Sequence, residues 1–178
     1  MENNCNYTVL PKLGFGGAVK KVLSNLTNFK GRSRRSEYWW FVLAMAIVNM
    51  ALSSVLSSHP MVNVIVSAVL PLFMIAVCAR RVQDSGHSAV WVYVQFICNY
   101  IFFAYMLASG YFSMLATVNP DPEKVFGVFM NPLCLITGFV YMICGVAVFV
   151  FCLLDSNIGP NKYGDSPKYV AESKEMDA

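Results

Sequence analysis

Four long apolar blocks, separated by polar links, constrain the fold of this chain more than any other feature of its sequence. None of the blocks contains Asp, Glu, Lys, Arg or His, and the third remains apolar to about Val118. A helix of about 20 apolar residues crosses a hydrocarbon core of roughly 30 Å. Every block reaches that length, and we therefore predict four transmembrane helices, at about residues 39–57, 61–79, 90–110 and 133–154.

The composition supports a membrane protein and excludes several other classes. Of 178 residues, 57% are hydrophobic and 13% are charged, whereas soluble domains carry about 25% charged residues. Disordered, coiled-coil and collagen-like chains are more polar or more repetitive. The first 38 residues contain no apolar segment typical of a cleavable signal peptide. We expect an all-α, integral membrane four-helix bundle over residues 39–155, flanked by an N-terminal segment (1–38) and a tail (156–178).

Two residues inside the apolar blocks predict irregular helices. Pro71 lies in the middle of the second block and removes one backbone donor, so we expect a kink there. The third block is longer than a bilayer needs, and Gly110 marks the position where we expect that helix to break.

The basic residues indicate how the helices cross the membrane. Seven of the thirteen Lys and Arg residues precede the first span, two lie between the second and third spans, and three lie in the tail. Lys124 lies in the link between the third and fourth spans. Because basic loops remain in the cytoplasm, we expect both termini to be cytoplasmic. The tail is polar and mixed in charge, and we expect it to be disordered after Tyr163.

Aromatic residues open the first and third spans at the expected cytoplasmic interface. They are Tyr38, Trp39 and Trp40 in the first span, and Trp91 and Tyr93 in the third. Amphipathic rings prefer this interface, so we interpret them as anchors. The alternative interpretation is that they form the walls of a binding groove.

An amphipathic interfacial helix is expected before the first span, at about residues 16–29. Apolar residues recur there at helical spacing, with lysines between them: Val19, Val22, Leu23, Leu26 and Phe29. Such a helix lies in the membrane interface, with its apolar face toward the lipid and its lysines near anionic head groups.

The cysteines and histidines form neither a disulfide pattern nor a metal pattern. The six cysteines include no Cys-x-x-Cys pair, and Cys5 lies in the N-terminal segment. His59 and His87 are expected on opposite sides of the membrane, whereas a zinc site needs three or four convergent ligands. We therefore expect no metal and no cofactor.

Three polar motifs are expected together at the cytoplasmic end of the bundle. They are residues 29–40, 80–88 and 155–167, which lead into span one, connect spans two and three, and leave span four. They predict a cytoplasmic polar ring of Arg32, Arg34, Arg35, Glu37, Arg80, Arg81, Asp84, Asp155, Asn161 and Tyr163. Within it, we expect Asp155 to compensate Arg81, or next Arg80, at similar depth. The carboxylates either neutralise the arginines as structural partners, or the arginines bind an anionic ligand.

The same motifs resemble those of a known family. The F-x-G-R-x-x-R-x-E-Y-W-W entry, the R-R-x-x-D-x-G-x-S loop and the G-x-N-x-Y-G-x-x-P exit are similar to those of the DUF805 family of small bacterial inner-membrane proteins. The resemblance runs from the amphipathic segment to Pro167. One departure is Ser88-Ala89-Val90-Trp91, where the family usually has Ser-Gly-Trp-Trp. The resemblance implies a fold and a location in the bacterial inner membrane, and it implies no reaction.

Three classes of function are compared on this basis. The spans contain no Ser–His pair and no aspartate pair, and arginines surround the carboxylates of the ring, so we expect no enzyme. A basic segment beside a span is typical of lipid binding rather than of nucleic-acid binding. We therefore expect a non-catalytic platform that binds anionic lipid head groups or a protein partner. The alternative is a small homo-oligomeric transporter or channel with mid-membrane Asn49, Gln95 and Asn99.

Reporter fusions test the predicted orientation. Fusions after His59 and near Asp121 should report the outside of the cell, and fusions after Ser85 and at the C-terminus should report the cytoplasm. The physical reason is the strong bias of Lys and Arg toward one side. A C-terminus found outside would contradict the four-span orientation.

Overall fold

Four helical segments lie where the apolar blocks predict them. The computed structural model describes residues 6–115, 117 and 119–171. Within that part of the chain, the segments long and apolar enough to cross a membrane are Arg35–Val55, Pro60–Asp84, Val90–Ala108 and Pro132–Leu153. The expected all-α membrane architecture is therefore confirmed. Cys5, Val118 and Lys174, which the sequence places in the segments above, lie outside the described residues.

The described elements follow the chain as ten helices and strands. They are β1 (Tyr7–Val9), α1 (Phe15–Leu23), α2 (Arg35–Val55), α3 (Pro60–Val69), α4 (Ile75–Asp84), α5 (Val90–Ala108), α6 (Tyr111–Leu115), α7 (Pro122–Phe129), α8 (Pro132–Leu153) and β2 (Tyr169–Ala171). A 3-10 segment, Leu70–Met74, connects α3 to α4. We call the end of the bundle where α2 and α5 begin, and where α4 and α8 end, the basic end.

The second span changes its helix type in the middle. Pro71 lies in the 3-10 segment, because its ring cannot donate the hydrogen bond that a continuous α-helix requires at that position. The span ends at Asp84 rather than near residue 79. Its last turns extend past the apolar block because the protein itself covers them: all nine residues of α4 after Ile75 are buried, including both arginines.

The third apolar block divides into two helices. α5 ends at Ala108 and α6 begins at Tyr111, with Gly110 between them at a φ of +71°. The chain therefore breaks at the glycine where the sequence predicts it. Helix α7 follows, and its first turn is capped by Asp121, whose side chain accepts a hydrogen bond from the N–H of Glu123 (3.1 Å).

Helix α1 is shorter than the sequence predicts and ends at Leu23. The side chains of Ser24 and Asn25 both donate hydrogen bonds to the carbonyl oxygen of Lys21, at 3.0 and 2.9 Å. Such local side-chain bonds compete with the helical backbone bonds, so residues 24–27 form turns and residues 28–29 have no regular structure.

The apolar face of α1 contacts the basic end of the bundle. Val22 is 1% exposed and packs against Phe41 of α2 and Val77 of α4. Burying one such side chain contributes about 1.5–3 kcal/mol. This contact attaches α1 to the bundle, and the placement of α1 in a membrane interface stays a prediction.

The helices expose a continuous apolar surface around the bundle. α5 and α8 form the most extensive helix pair. On the opposite face of α8, Ile136, Phe139 and Val146 are 63%, 61% and 60% exposed. Such a surface is unusual for a protein in water, whereas lipid tails are as apolar as these side chains. The exposed surface is therefore the one that a membrane-spanning bundle requires.

A small sheet joins segments from the two ends of the chain. β1 and β2 pair antiparallel, with Thr8 opposite Val170. The guanidinium of Arg34 donates a hydrogen bond to the carbonyl oxygen of Leu10 (2.8 Å), directly after β1. The disorder expected after Tyr163 is therefore wrong for the tail up to the end of β2, because backbone pairing and Arg34 hold that segment against the basic end.

The link between α4 and α5 provides a test of this packing. Gly86 has a φ of +84°, and a Cβ atom there would lie 2.6 Å from Nδ2 of Asn157. Gly31 has a φ of +98° and open space around a Cβ atom. Alanine at either position costs roughly 1–2 kcal/mol of backbone strain. We expect Gly86→Ala to lower the thermal stability of the detergent-extracted protein further than Gly31→Ala does, because only Gly86→Ala displaces Asn157. Equal losses would contradict the close approach.

Candidate functional site

A fully buried carboxylate, Asp84, connects the three polar motifs at the basic end. It ends α4, and its side chain is 0% exposed. The carboxylate accepts hydrogen bonds from Nε of Arg32 (2.8 Å), from a guanidinium nitrogen of Arg81 and from the hydroxyl of Ser156. Charged donors are needed here, because an unpaired buried carboxylate is strongly unfavourable. We call these four residues the Asp84 cluster.

Arg32 also holds the segment that leaves α8. Its guanidinium donates to the carbonyl oxygens of Asn157 (2.6 Å) and Gly159 (2.7 Å), and its side chain is 1% exposed. The N–H of Asn157 in turn donates to the carbonyl oxygen of Asp84 (3.2 Å). Acceptors inside the protein therefore bind the donors of Arg32.

Arg81 closes the C-terminal end of α8. Its guanidinium donates to the carbonyl oxygens of Cys152 (3.2 Å), Leu154 and Ser33 (3.3 Å). The last carbonyls of a helix have no partner inside the helix and carry partial negative charge. A buried guanidinium satisfies both requirements, so Arg81 fixes the end of α8 against α4.

A second buried carboxylate, Glu37, lies in the first turn of α2. It is 2% exposed and accepts hydrogen bonds from Nζ of Lys21 (2.6 Å) and from the hydroxyl of Ser33 (2.7 Å). Glu37 is therefore paired with a lysine of α1. Arg80 is 6% exposed, and its Nε donates to the carbonyl oxygen of Ala76 at 3.4 Å, within α4.

Asp155 lies outside the Asp84 cluster, which corrects its expected pairing with Arg81. Its carboxylate contacts Arg35 (3.1 Å) and Lys168 (2.6 Å), and all three side chains are partly exposed. Burial opposes ionisation of Asp155, but hydrogen bonds from Lys168 and from a backbone N–H outweigh it, so its pKa lies below the ordinary value. Similar depth in the membrane does not fix which side of the bundle a carboxylate faces, and Asp84 takes the position beside Arg81.

The predicted ring residues therefore form several separate groups. Asn161 and Tyr163 belong to the exit from α8: Asn161 donates to the carbonyl oxygen of Gln83 (3.0 Å) and accepts from the N–H of Tyr163 (2.8 Å). Within residues 6–115, 117 and 119–171, no group of three or more His, Cys, Asp or Glu side chains is placed to hold a metal ion. In the Asp84 cluster, one carboxylate and several carbonyl oxygens accept the donors of two arginines, and these bonds connect the entry to α2, the end of α4 and the exit from α8.

A groove lies beside the Asp84 cluster, and we call it the basic groove. Its apolar part has a volume of about 490 Å³ and is lined by Trp39, Trp40, Leu43 and Leu153 in addition to Lys12, Arg35 and Ser36. Its polar part has a volume of about 110 Å³ and includes Lys12, Arg34, Arg35, Ser36, Asp155 and Lys168. The two parts share Lys12, Arg35 and Ser36, so a polar compartment opens onto an apolar one.

Sequence reasoning missed Lys12 and Lys168 as members of this site. Lys12 lies between β1 and α1, and Lys168 directly precedes β2, where the sequence carries no motif. The pairing of β1 with β2 brings both lysines beside Arg35. The sequence signal that could have indicated the groove was the pair Trp39 and Trp40, under the alternative interpretation of these aromatic residues as groove walls.

Matched substitutions separate the buried carboxylate from the exposed one. Asp84→Asn leaves two buried arginines without their counter-charge, which costs about 3–5 kcal/mol. Asp155→Asn removes exposed ion pairs, which contribute about 0–1 kcal/mol. We expect a large drop in the thermal stability of the detergent-extracted protein for Asp84→Asn and little change for Asp155→Asn. Comparable losses in the two variants would contradict the structural role of Asp84.

Two inner membrane proteins of Escherichia coli are similar to part of this chain. The chain is 33% identical over 81 residues to the inner membrane protein YhaI of Escherichia coli (strain K12). This aligned segment is 43% of this chain and 68% of YhaI. It is 33% identical over 79 residues to the inner membrane protein YhaH of the same strain, which covers 40% of this chain and 65% of that protein. No solved structure matches the chain. Residues 26–165 match the family model described as "Protein of unknown function (DUF805)", and the chain therefore belongs to the DUF805 family.

Proposed function

We propose that this chain is a non-catalytic inner-membrane protein that binds an anionic phospholipid in the basic groove. The observation that carries the proposal is the sharing of Lys12, Arg35 and Ser36 between the polar and apolar parts of that groove. A phospholipid has the same construction, with a charged phosphate directly attached to apolar chains. The groove therefore matches an amphiphile better than it matches a soluble anion.

The charge of the polar part favours an anionic head group. Three cationic side chains that are at least partly exposed line it, Lys12, Arg35 and Lys168, against the single carboxylate of Asp155. Arg34 also lines it, but carbonyl oxygens bind its guanidinium. Lys12 is exposed, and among the described residues no acceptor binds it. Phosphate oxygens bind lysine and arginine donors through charge-assisted hydrogen bonds.

The residues that line the apolar part of the groove, and their position at the start of α2 and the end of α8, suit an acyl chain. Trp39 and Trp40 lie in the first two turns of α2, and Leu153 is the last residue of α8. Edge-to-face contacts hold both indoles in place: the ring centroids of Trp40 and Phe15 are 5.7 Å apart, and those of Trp39 and Phe149 are 6.1 Å apart. Tryptophan prefers the membrane–water interface, where a lipid head group meets its chains.

The arginines at the centre of the expected platform do not serve this function. Arg32 and Arg81 are 1% and 0% exposed, and buried acceptors bind their guanidinium groups. The proposal therefore moves lipid recognition from the buried arginines to the neighbouring groove. A non-catalytic role is consistent with the Asp84 cluster, where the charged donors and acceptors satisfy one another.

Location and orientation complete the proposal. The relatives YhaI and YhaH are named inner membrane proteins, and we propose the same membrane for this chain. The excess of Lys and Arg at the basic end favours a cytoplasmic position for the groove. The cytoplasmic leaflet carries a negative surface potential, so anionic lipids are available there.

Lipid titration of the purified protein tests the groove. Native mass spectrometry of gently extracted protein should show bound phosphatidylglycerol in preference to phosphatidylcholine. We expect Lys12→Glu to weaken phosphatidylglycerol binding at least about fivefold, because one basic residue near an anionic membrane contributes about 1 kcal/mol. Lys162→Glu is the matched control, because Lys162 is exposed at the basic end and lines neither part of the groove.

Three results would contradict this function. The first is a loss of phosphatidylglycerol binding in Lys12→Glu that is no larger than the loss in Lys162→Glu. The second is a defined oligomer without bound lipid, which would favour the transporter or channel. The third is a co-purifying protein in place of the lipid, which would favour a protein partner for the basic end.

A further inference from the structure

We propose that a cavity between α3, α5 and α8 binds an uncharged lipid whose head is a hydroxylated aromatic ring, that is, a long-chain phenol or hydroquinone. The cavity has a volume of about 360 Å³. Amide and hydroxyl side chains contribute to its lining: Asn63, Ser67, Gln95, Asn99, Tyr100 and Tyr141. It shares no lining residue with the basic groove, so this proposal is independent of the proposed function.

Its depth excludes a charged ligand. Gln95 lies five residues into α5, which is about 8 Å from the basic end at 1.5 Å per residue. Asn63 lies three residues into α3, which is about 5 Å from the opposite end. The cavity therefore extends through the middle of the bundle, where an ionised group is strongly disfavoured. Its lining is accordingly built from uncharged polar groups.

An unpaired acceptor on a residue that lines the cavity calls for a hydrogen-bond donor. The Oε1 atom of Gln95 is buried and has no hydrogen-bond partner among the described residues. Native proteins rarely leave such an atom unpaired, because it keeps its full desolvation penalty. When the Gln95 side chain turns toward the cavity, the hydroxyl of a ligand would satisfy this atom, whereas a ligand that carries only acceptors would not.

The remaining lining favours a ring. Phe96, Phe103 and Phe112 line the cavity together with two tyrosines. Tyr100 is fixed, because its hydroxyl donates to the carbonyl oxygen of Ala68 on α3 (2.9 Å). Aromatic side chains are stabilised by offset or edge contacts with another ring, in addition to the area they bury.

An apolar groove next to the cavity provides room for a tail. It has a volume of about 650 Å³ and includes Leu72, Ile75, Ile97 and Ile101. Phe96 and Tyr100 line both the cavity and this groove. Ile97 is 58% exposed and Leu72 is 47% exposed, so the groove faces the surrounding lipid. A ring in the cavity would therefore extend its alkyl chain directly into the membrane.

Three probes that differ in one feature test this site. The thermal stability of the full chain in detergent is measured with para-dodecylphenol, with dodecylbenzene, which lacks the hydroxyl, and with dodecanol, which lacks the ring. We expect para-dodecylphenol to raise the Tm most, because a ligand that binds the native state stabilises it. Gln95→Leu should weaken its binding about tenfold, the equivalent of one buried hydrogen bond. Asn49→Leu is the matched control, an amide on α2 that does not line the cavity.

The outcomes decide between a ligand site and a hydrated cavity. Equal shifts from the three probes in the wild-type protein would overturn the proposal, because a detergent-like effect needs neither ring nor hydroxyl. Unchanged para-dodecylphenol binding in Gln95→Leu would overturn it as well. If Gln95→Leu does not fold, Asn99→Leu replaces it, since Asn99 lines the same cavity. The probe comparison itself needs no variant.

Discussion

Asp84 accepts hydrogen bonds from two arginines that come from different polar motifs, and the arrangement of the basic end depends on this contact. A buried ion pair does not stabilise a fold simply by existing, because both charges lose their hydration. Its effect here is to fix positions. Arg32 and Arg81 connect the entry to α2 and the end of α8 to one carboxylate, and the loss of Asp84 would leave both guanidinium groups buried without a counter-charge.

The basic end has enclosed arginines in its interior and partly exposed cationic side chains at its surface. The arginines of the Asp84 cluster are enclosed, whereas Lys12, Arg35 and Lys168 gather around one exposed carboxylate. The small sheet is responsible for this surface, since β1 and β2 carry the two lysines to the start of α2. The Asp84 cluster and the basic groove therefore lie side by side, with Arg35 of α2 between them.

The bundle offers two chemical environments at different depths. In the proposed orientation, the basic groove lies at the level of the head groups, where charged donors are partly hydrated. The cavity around Gln95 lies deeper, where ionised groups are strongly disfavoured and polar contacts are hydrogen bonds between uncharged groups. A ligand of one site is unsuited to the other, which makes the two proposals chemically distinct.

The sequence by itself determined three things: the apolar blocks determined the four spans, the Lys and Arg residues the basic end, and the three motifs the family. It could do so because hydrophobic length and local composition are properties of the chain itself. The breaks at Pro71 and Gly110 were likewise local. The partners of each charge were decided by tertiary structure: Asp84 rather than Asp155 for Arg81, and Lys21 for Glu37. Sequence spacing places side chains at a depth, whereas only the packing of α1, α4 and α8 and the pairing of β1 with β2 determine which way they face.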